Sequence, residues 1–244
     1  MRIISRLDIK NDNLIKAIMF DGVKQLGDPE IFAQKYFEDG IDELMIINNT
    51  GSLYNTKLNT KLLEKIRIKK PIPISAGGGI SNYDDAMKLI ESGSDKIVIN
   101  SLIHKDIKEA KKIIDTLGAS SVIGAIQYEI KNGKFLTYYE MARESTNLNL
   151  NETINLYVEC GVGEVLLSNI SNDGCFVGLG EDIKEQIYPF YQKIPILLGG
   201  GFISLNEIEV YKEFVSGIVI SSAFHYEKIL VSEAVLASKN LVEL

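Results

Sequence analysis

The chain carries its own pattern twice. Ala76-Gly-Gly-Gly-Ile-Ser81 returns as Leu198-Gly-Gly-Gly-Phe-Ile-Ser204, so that glycine triplets begin at Gly77 and Gly199. Asp95-Lys-Ile-Val-Ile-Asn-Ser-Leu-Ile-His104 returns as Ser216-Gly-Ile-Val-Ile-Ser-Ser-Ala-Phe-His225, and Gly40-Ile-Asp-Glu-Leu-Met-Ile-Ile-Asn-Asn49 as Gly161-Val-Gly-Glu-Val-Leu-Leu-Ser-Asn-Ile170. The spacing is about half of the 244 residues each time. A period this long is not that of a solenoid. It implies two homologous halves, about 1–120 and 121–244.

Each half reads as four strand–helix units. Apolar runs near 2–8, 43–48, 72–76, 95–100, 121–127, 163–168, 194–198 and 217–221 are rich in Ile, Val and Leu and do not alternate, as expected of strands buried on both faces. Amphipathic stretches near 28–39, 57–68, 82–93, 106–117, 148–160, 182–192, 204–213 and 226–240 separate them. Asp28-Pro29 is a helix start, and Ser81 and Ser204 are expected to cap the third and seventh helices. Alternating strands and helices pair in parallel with right-handed crossovers. Eight units in two equal halves predict one closed (βα)8 barrel spanning 1–244, with no second domain.

Composition narrows the function. Lys and Arg number 26 against 33 Asp and Glu, a net charge of −7, which disfavours nucleic acid and anionic membrane as partners. Two cysteines without a CxxC motif and two histidines leave no disulfide scaffold and no multi-histidine metal site, so neither metal nor cofactor is expected. No apolar run approaches the ~20 residues of a membrane-spanning helix, no signal segment opens the chain, and a reducing cytoplasm fits.

In such barrels the chemistry gathers at the C-terminal ends of the strands. Asp8 is the best acid/base candidate there, or else a strand-end carboxylate capping loop amides. The duplication places its mate on strand 5 at Gln127, which cannot exchange a proton. Asp173 is a substitute, or simply an Asp-Gly turn. Glycines that let backbone approach an anion, each followed by a helix start, suggest two phosphate cradles. One comprises Gly78, Gly79, Asn100 and Ser101, the other Gly200, Gly201, Ser221 and Ser222; tight strand-to-helix turns are the plainer reading. At the opposite end Arg2, Glu43, Lys96 and Glu164 open strands and together form a neutral ring, unless they are merely solvated strand starts. His225 reads as a packed structural histidine, His104 as solvent-facing, and 128–147 as a loop that forms either the outer rim or a partner contact.

These residues carry a resemblance. Arg6-Leu-Asp-Ile-Lys10, Leu26-Gly-Asp-Pro29, Gly40-Ile-Asp-Glu-Leu44, Ala76-Gly-Gly-Gly-Ile80, Ser94-Asp-Lys-Ile-Val-Ile-Asn100, Gly163-Glu-Val-Leu-Leu-Ser168, Asp173-Gly174 and Ala223-Phe-His225 resemble the cyclase subunit family of imidazole glycerol phosphate synthase over essentially the whole chain. The resemblance implies a barrel that binds a bisphosphorylated ribulose-type substrate and receives ammonia from a class I glutaminase docked at its bottom. It makes Arg2, Glu43, Lys96 and Glu164 an ammonia gate, Asp95 a partner-facing acid and Lys16 a substrate-holding lysine on the first loop. The departures lie at the top: Gln127 replaces the second catalytic aspartate, Asn48 a strand-2 aspartate and Ser171 a loop-6 acid. Two expectations follow. One is a paralogue that activates a glutaminase and passes ammonia to a third protein, an ATP-using sugar amidotransferase of surface-glycan synthesis. The other is a true cyclase of histidine biosynthesis, in which ammonia attacks the substrate, a carbon–nitrogen bond breaks and the imidazole ring closes. A related phosphosugar isomerase is a third.

Overall fold

Eight parallel strands close into a ring in the computed structural model, which describes residues 1–69 and 71–239. The ring strands are β1 (Arg2–Lys10), β4 (Glu43–Asn48), β5 (Ile74–Gly77), β6 (Lys96–Ile99), β7 (Val122–Lys131), β10 (Glu164–Asn169), β11 (Ile196–Gly199) and β12 (Gly217–Ile220). They pair in that order, and β12 returns to β1 through Arg2–Gly217 and Ile4–Val219. Two antiparallel extensions stand where the sequence predicts loops. One is the hairpin β2 (Asn13–Ile18) and β3 (Asp21–Gly27), which grows from β1; the other is β8 (Lys134–Tyr139) and β9 (Glu144–Asn149), which makes a meander with β7.

Helices α1 (Pro29–Glu38), α3 (Thr60–Lys69), α4 (Tyr83–Glu91), α6 (Ile107–Leu117), α7 (Leu150–Cys160), α8 (Ile183–Ile187), α9 (Asn206–Tyr211) and α11 (Val231–Lys239) cover the ring. Short helices α2 (Gly51–Tyr54), α5 (Ser101–Lys105) and α10 (Ser222–His225) follow β4, β6 and β12 at the top. The end of the last expected helix and residues 240–244 of the expected domain lie outside the described residues.

Asp28 starts α1 as expected, its side chain accepting from the Glu30 N–H with Pro29 in the first turn. Ser81 does not cap α4: Asn82 does, accepting from the Asp85 N–H, while Ser81 bonds the Asp85 carboxylate. Ser204 does not cap α9 either: Leu205 holds the N-cap position, and Ser204 Oγ accepts the Asn206 N–H at 3.3 Å from one residue further out.

Two apolar layers hold the fold. The larger lies between ring and helices and includes the fully buried Tyr36 and Tyr157. The smaller fills the ring itself, with Ile4, Met45, Val98, Ile123, Leu166, Leu197 and Val219 each coming from a different strand. The period-2 alternation of β1 thus lines Arg2, Ile4, Arg6 and Asp8 along the inside, from floor to mouth. The register fixes the twofold mates. Ile4 pairs with Val219 and Ile123 with Val98; Asp8 pairs with Ile47 and Gln127 with Ser168. Gln127 is therefore the mate of Asp8, and Ala125 the mate of Arg6.

Candidate functional site

The floor is built from the first residues of β1, β4, β6 and β10. Arg2 sits between two acids, with Nη1 2.7 Å from Glu43 Oε2 and Nη2 2.6 Å from Glu164 Oε1; Lys96 Nζ lies 3.1 Å from Glu164 Oε2. The four charges are thus one connected ion-pair chain rather than separate solvated strand starts. Burial raises the Glu43 carboxyl above its ordinary range even against the Arg2 and Lys96 cations. Beside the floor, Asp95 is held by Arg67 at 3.1 and 3.2 Å and accepts the Ile74 N–H at 2.8 Å, and its side chain remains half-exposed.

At the mouth the structure brings together Asp8, Lys16 and Asp173, from three separate stretches of sequence. The first hairpin folds over the barrel, and the Met19 N–H donates to Asp173 O at 2.8 Å. Ala17 and Phe20 pack with Met141 and Ile170, from the meander and from the end of β10. Lys16 is thereby buried, its ammonium 2.8 Å from Asp173 Oδ2 and 3.9 Å from Asp8 Oδ2. Asp173 is more than a turn residue.

Gln127 has a different job from that of an acid/base group. Its Oε1 accepts the Ala142 N–H at 2.7 Å. Ala142 ends a run of three left-handed residues, Glu140, Met141 and Ala142, with φ of 52°, 56° and 62°. That conformation costs each side-chain-bearing residue about 1–2 kcal/mol, and the Gln127 carbonyl and the Ser101 hydroxyl, which accepts the Glu140 N–H at 3.3 Å, hold it.

Both expected cradles border cavities. Gly78, Gly79, Asn100 and Ser101 line one of about 660 Å3, and Gly200, Gly201, Ser221 and Ser222 line one of about 420 Å3. The glycines also have a packing reason: a Cβ on Gly78 would stand 2.1 Å from Asn48 O and one on Gly200 2.6 Å from Asn169 O, at φ of +97° and +91°. One expectation fails. The helix starts after the triplets are already filled by the chain's own acids. Asp85 accepts the Ser81 N–H at 3.0 Å, and Glu207 accepts those of Ile203 and Ser204 at 2.9 and 3.1 Å. The Ser81, Ile203 and Ser204 amides are therefore not free for a ligand in the cradles. In the second cavity Ser222 Oγ is buried without a hydrogen-bond partner among the described residues.

The two histidines are a twofold pair. His225 Nδ1 lies 2.6 Å from the Tyr36 hydroxyl, and His104 Nε2 lies 3.2 Å from that of Tyr157. His225 is the packed residue expected. His104 does not face solvent: it stacks on Tyr139 at 5.0 Å, and burial lowers its pKa to about 4. The sequence reading missed Arg6, whose Nε donates to Asp8 Oδ1 at 2.8 Å and whose Nη2 donates to Asn49 Oδ1 at 3.3 Å. Counting back from Asp8 in steps of two would have placed it inside the barrel. Cys160 and Cys175 are both free thiols, and no described helix is long and apolar enough to cross a membrane.

The class so defined is a twofold (βα)8 barrel with paired cavities at its mouth and an ion-paired floor. Residues 2–230 match the family model of histidine biosynthesis proteins, and the chain belongs to that family. It is similar over its length to proteins named imidazole glycerol phosphate synthase subunit HisF. That of Petrotoga mobilis is 31% identical over 231 residues, covering 92% of this chain and 90% of the relative. That of Pyrococcus furiosus is 30% identical over 234 residues, covering 95% and 92%. That of Legionella pneumophila is 31% identical over 208 residues, covering 85% and 98%.

Proposed function

We propose that this chain is the ammonia-delivering barrel subunit of a glutamine amidotransferase. It activates a class I glutaminase docked at the floor, carries the released ammonia along the barrel axis, and yields it at the mouth to an ATP-using sugar amidotransferase. The two free thiols fit work in a reducing cytoplasm. The observation that carries the reading is the unequal condition of the two ends. The floor keeps all four charges of the gate pattern in contact. At the mouth, the mate of Asp8 is a carboxamide engaged in holding a left-handed turn. A carboxamide neither gives nor takes a proton near neutral pH, and a positioned acid/base group contributes about 10²–10⁴-fold to a rate.

A second reading is a working cyclase, favoured by one observation: the buried Asp8 and Lys16 and the partly exposed Asp173 form one charged cluster, in which Asp173 stands in for the second acid. One assay separates the two. The purified chain is mixed with the bisphosphorylated ribulosyl imidazole precursor and an ammonium salt, and loss of the precursor's absorbance is followed. The delivery reading expects no turnover beyond the background. Turnover that disappears in Asp8→Asn overturns it in favour of the cyclase.

A further inference from the structure

We propose that Arg6 divides the barrel mouth into two chambers, and that the larger takes a hydroxyl-rich small molecule bearing a single phosphate, seated on the Arg6 guanidinium. This rests on reading the mouth as the small-molecule end of the barrel, and on no partner protein.

The first ground is position. Arg6 reaches across the mouth from β1, anchored on Asp8 and Asn49, with its guanidinium carbon 5.8 Å from the Phe20 ring centroid under the first hairpin. The two cavities share just two lining residues, Arg6 and Ser168. A ligand long enough to put one phosphate in each has to pass the boundary that the guanidinium and Ser168 form. The twofold mate of Arg6 is Ala125, so the duplication did not supply this barrier; it belongs to one half alone.

The second ground is charge. Among the described residues, Arg6 is the one charged side chain lining the larger cavity. Its Nη1, with two N–H groups, has no hydrogen-bond partner among the described residues, so the cation keeps donors for an anion after its bonds to Asp8 and Asn49 are made.

The third is the neutral lining. Carboxamides in this cavity have one end fixed by protein. Asn49 Oδ1 accepts from Arg6, Gln127 Oε1 accepts from Ala142, and Asn100 Nδ2 donates to Ala125 O at 2.7 Å. Asn49 Nδ2 and Gln127 Nε2 are left as oriented donors, and Asn100 Oδ1, which the Ser101 hydroxyl reaches at 3.3 Å, keeps a second lone pair. Preset donors and acceptors beside one cation suit hydroxyls flanking an oxyanion.

Calorimetry on the full chain tests this with three probes: ribose 5-phosphate, neutral ribose and fructose 1,6-bisphosphate. Ribose 5-phosphate is expected to bind, ribose to bind at least tenfold more weakly, and the bisphosphate to gain no more than about threefold over the monophosphate. Arg6→Ala is expected to weaken ribose 5-phosphate by about tenfold or more, the loss of a charge-assisted hydrogen bond. Gln127→Glu serves if Arg6→Ala does not fold. It keeps the acceptor for Ala142, adds a negative charge to the larger cavity and is expected to weaken the same probe similarly. The proposal is overturned if ribose 5-phosphate fails to bind at millimolar concentration. It is equally overturned if the bisphosphate binds one-to-one, 100-fold tighter than the monophosphate, and Arg6→Ala leaves that unchanged. Neither glutaminase nor ammonia enters the experiment, so its failure leaves the delivery reading to its own assay.

Discussion

The Tyr36 hydroxyl, on the first helix of the first half, lies 2.6 Å from the imidazole of His225, on the last strand–helix unit of the second. Tyr157 and His104 repeat the contact where the first half hands over to the second. The two seams of the duplicated barrel are thus closed by the same pair of side chains.

Both rings are held neutral, which makes the seams acid-sensitive. Burial lowers the pKa of His104 from 6.5 to about 4 and that of His225 to about 3. The folded state refuses a proton that the unfolded chain accepts, so this stability is fully present above pH 6.5 and is lost as pH falls below it. Each ring is expected to cost about 1.4 kcal/mol per pH unit in that window. Urea unfolding at pH 7 and 5.5 should show the loss, and the double variant His104→Gln, His225→Gln should show a flatter dependence. An equal slope in both proteins would refute the assignment.

The floor and the mouth should separate in function. With a cognate glutaminase, Lys96→Ala or Asp95→Ala is expected to lower stimulated glutamine hydrolysis severalfold, whereas Asp8→Asn leaves it within about twofold. Steady-state hydrolysis rates check this. A loss of activation in Asp8→Asn comparable to that in Lys96→Ala counts against two independent ends.

Glu43 gives the floor a pH signature of its own. Its carboxyl is raised by burial, so the folded chain holds a proton in a window above 4.5 where the unfolded chain has lost it. Stability contributed by this group rises as pH falls from neutral into that window. Relative to Glu43→Gln, the natural chain should therefore gain stability between pH 7 and 5, measured by denaturant titration.

Gln127 can be tested from both sides. If the mouth is a cyclase merely tolerating the carboxamide, Gln127→Asp raises turnover of the bisphosphorylated precursor; the delivery reading expects none. Gln127→Ala removes the acceptor of the Ala142 N–H and is expected to destabilise the fold by about 1–3 kcal/mol, read as a lowered unfolding midpoint.

Glycines of similar φ should respond unequally. Gly118, at φ +84°, has nothing within 4 Å of an added Cβ, whereas Gly78 at +97° meets the Asn48 backbone. Gly118→Ala should cost about 1–3 kcal/mol from conformation alone, because its ψ of 145° puts it near a region that essentially only glycine occupies. Gly78→Ala should cost several kcal/mol, because two backbone segments must part. Thermal unfolding of the two variants compares them directly.

The barrel was legible because duplication and unbroken apolar runs are properties of the chain itself, and each ring strand falls within a few residues of its run. The site was legible where it sits at a strand end, as with Asp8, Gln127 and the floor charges. What escaped depends on contacts between distant segments. The hairpin that buries Lys16 against Asp173 carries a short apolar run, Ala17-Ile18-Met19-Phe20, but nothing local says that this run closes over the mouth, and the acids at the α4 and α9 starts look like ordinary helix residues. Arg6 was hidden by its neighbours: the motif around it drew notice to Asp8, although strand parity put both on the same face.

Arg6 and Ala125 are mates across the pseudo-twofold axis, a long cation opposite a methyl group. Whatever enters the mouth therefore finds left and right unlike, even if its own two ends are identical. A barrel doubled from one pattern has acquired a handed entrance, and the orientation of its guest is decided by the protein rather than by the guest.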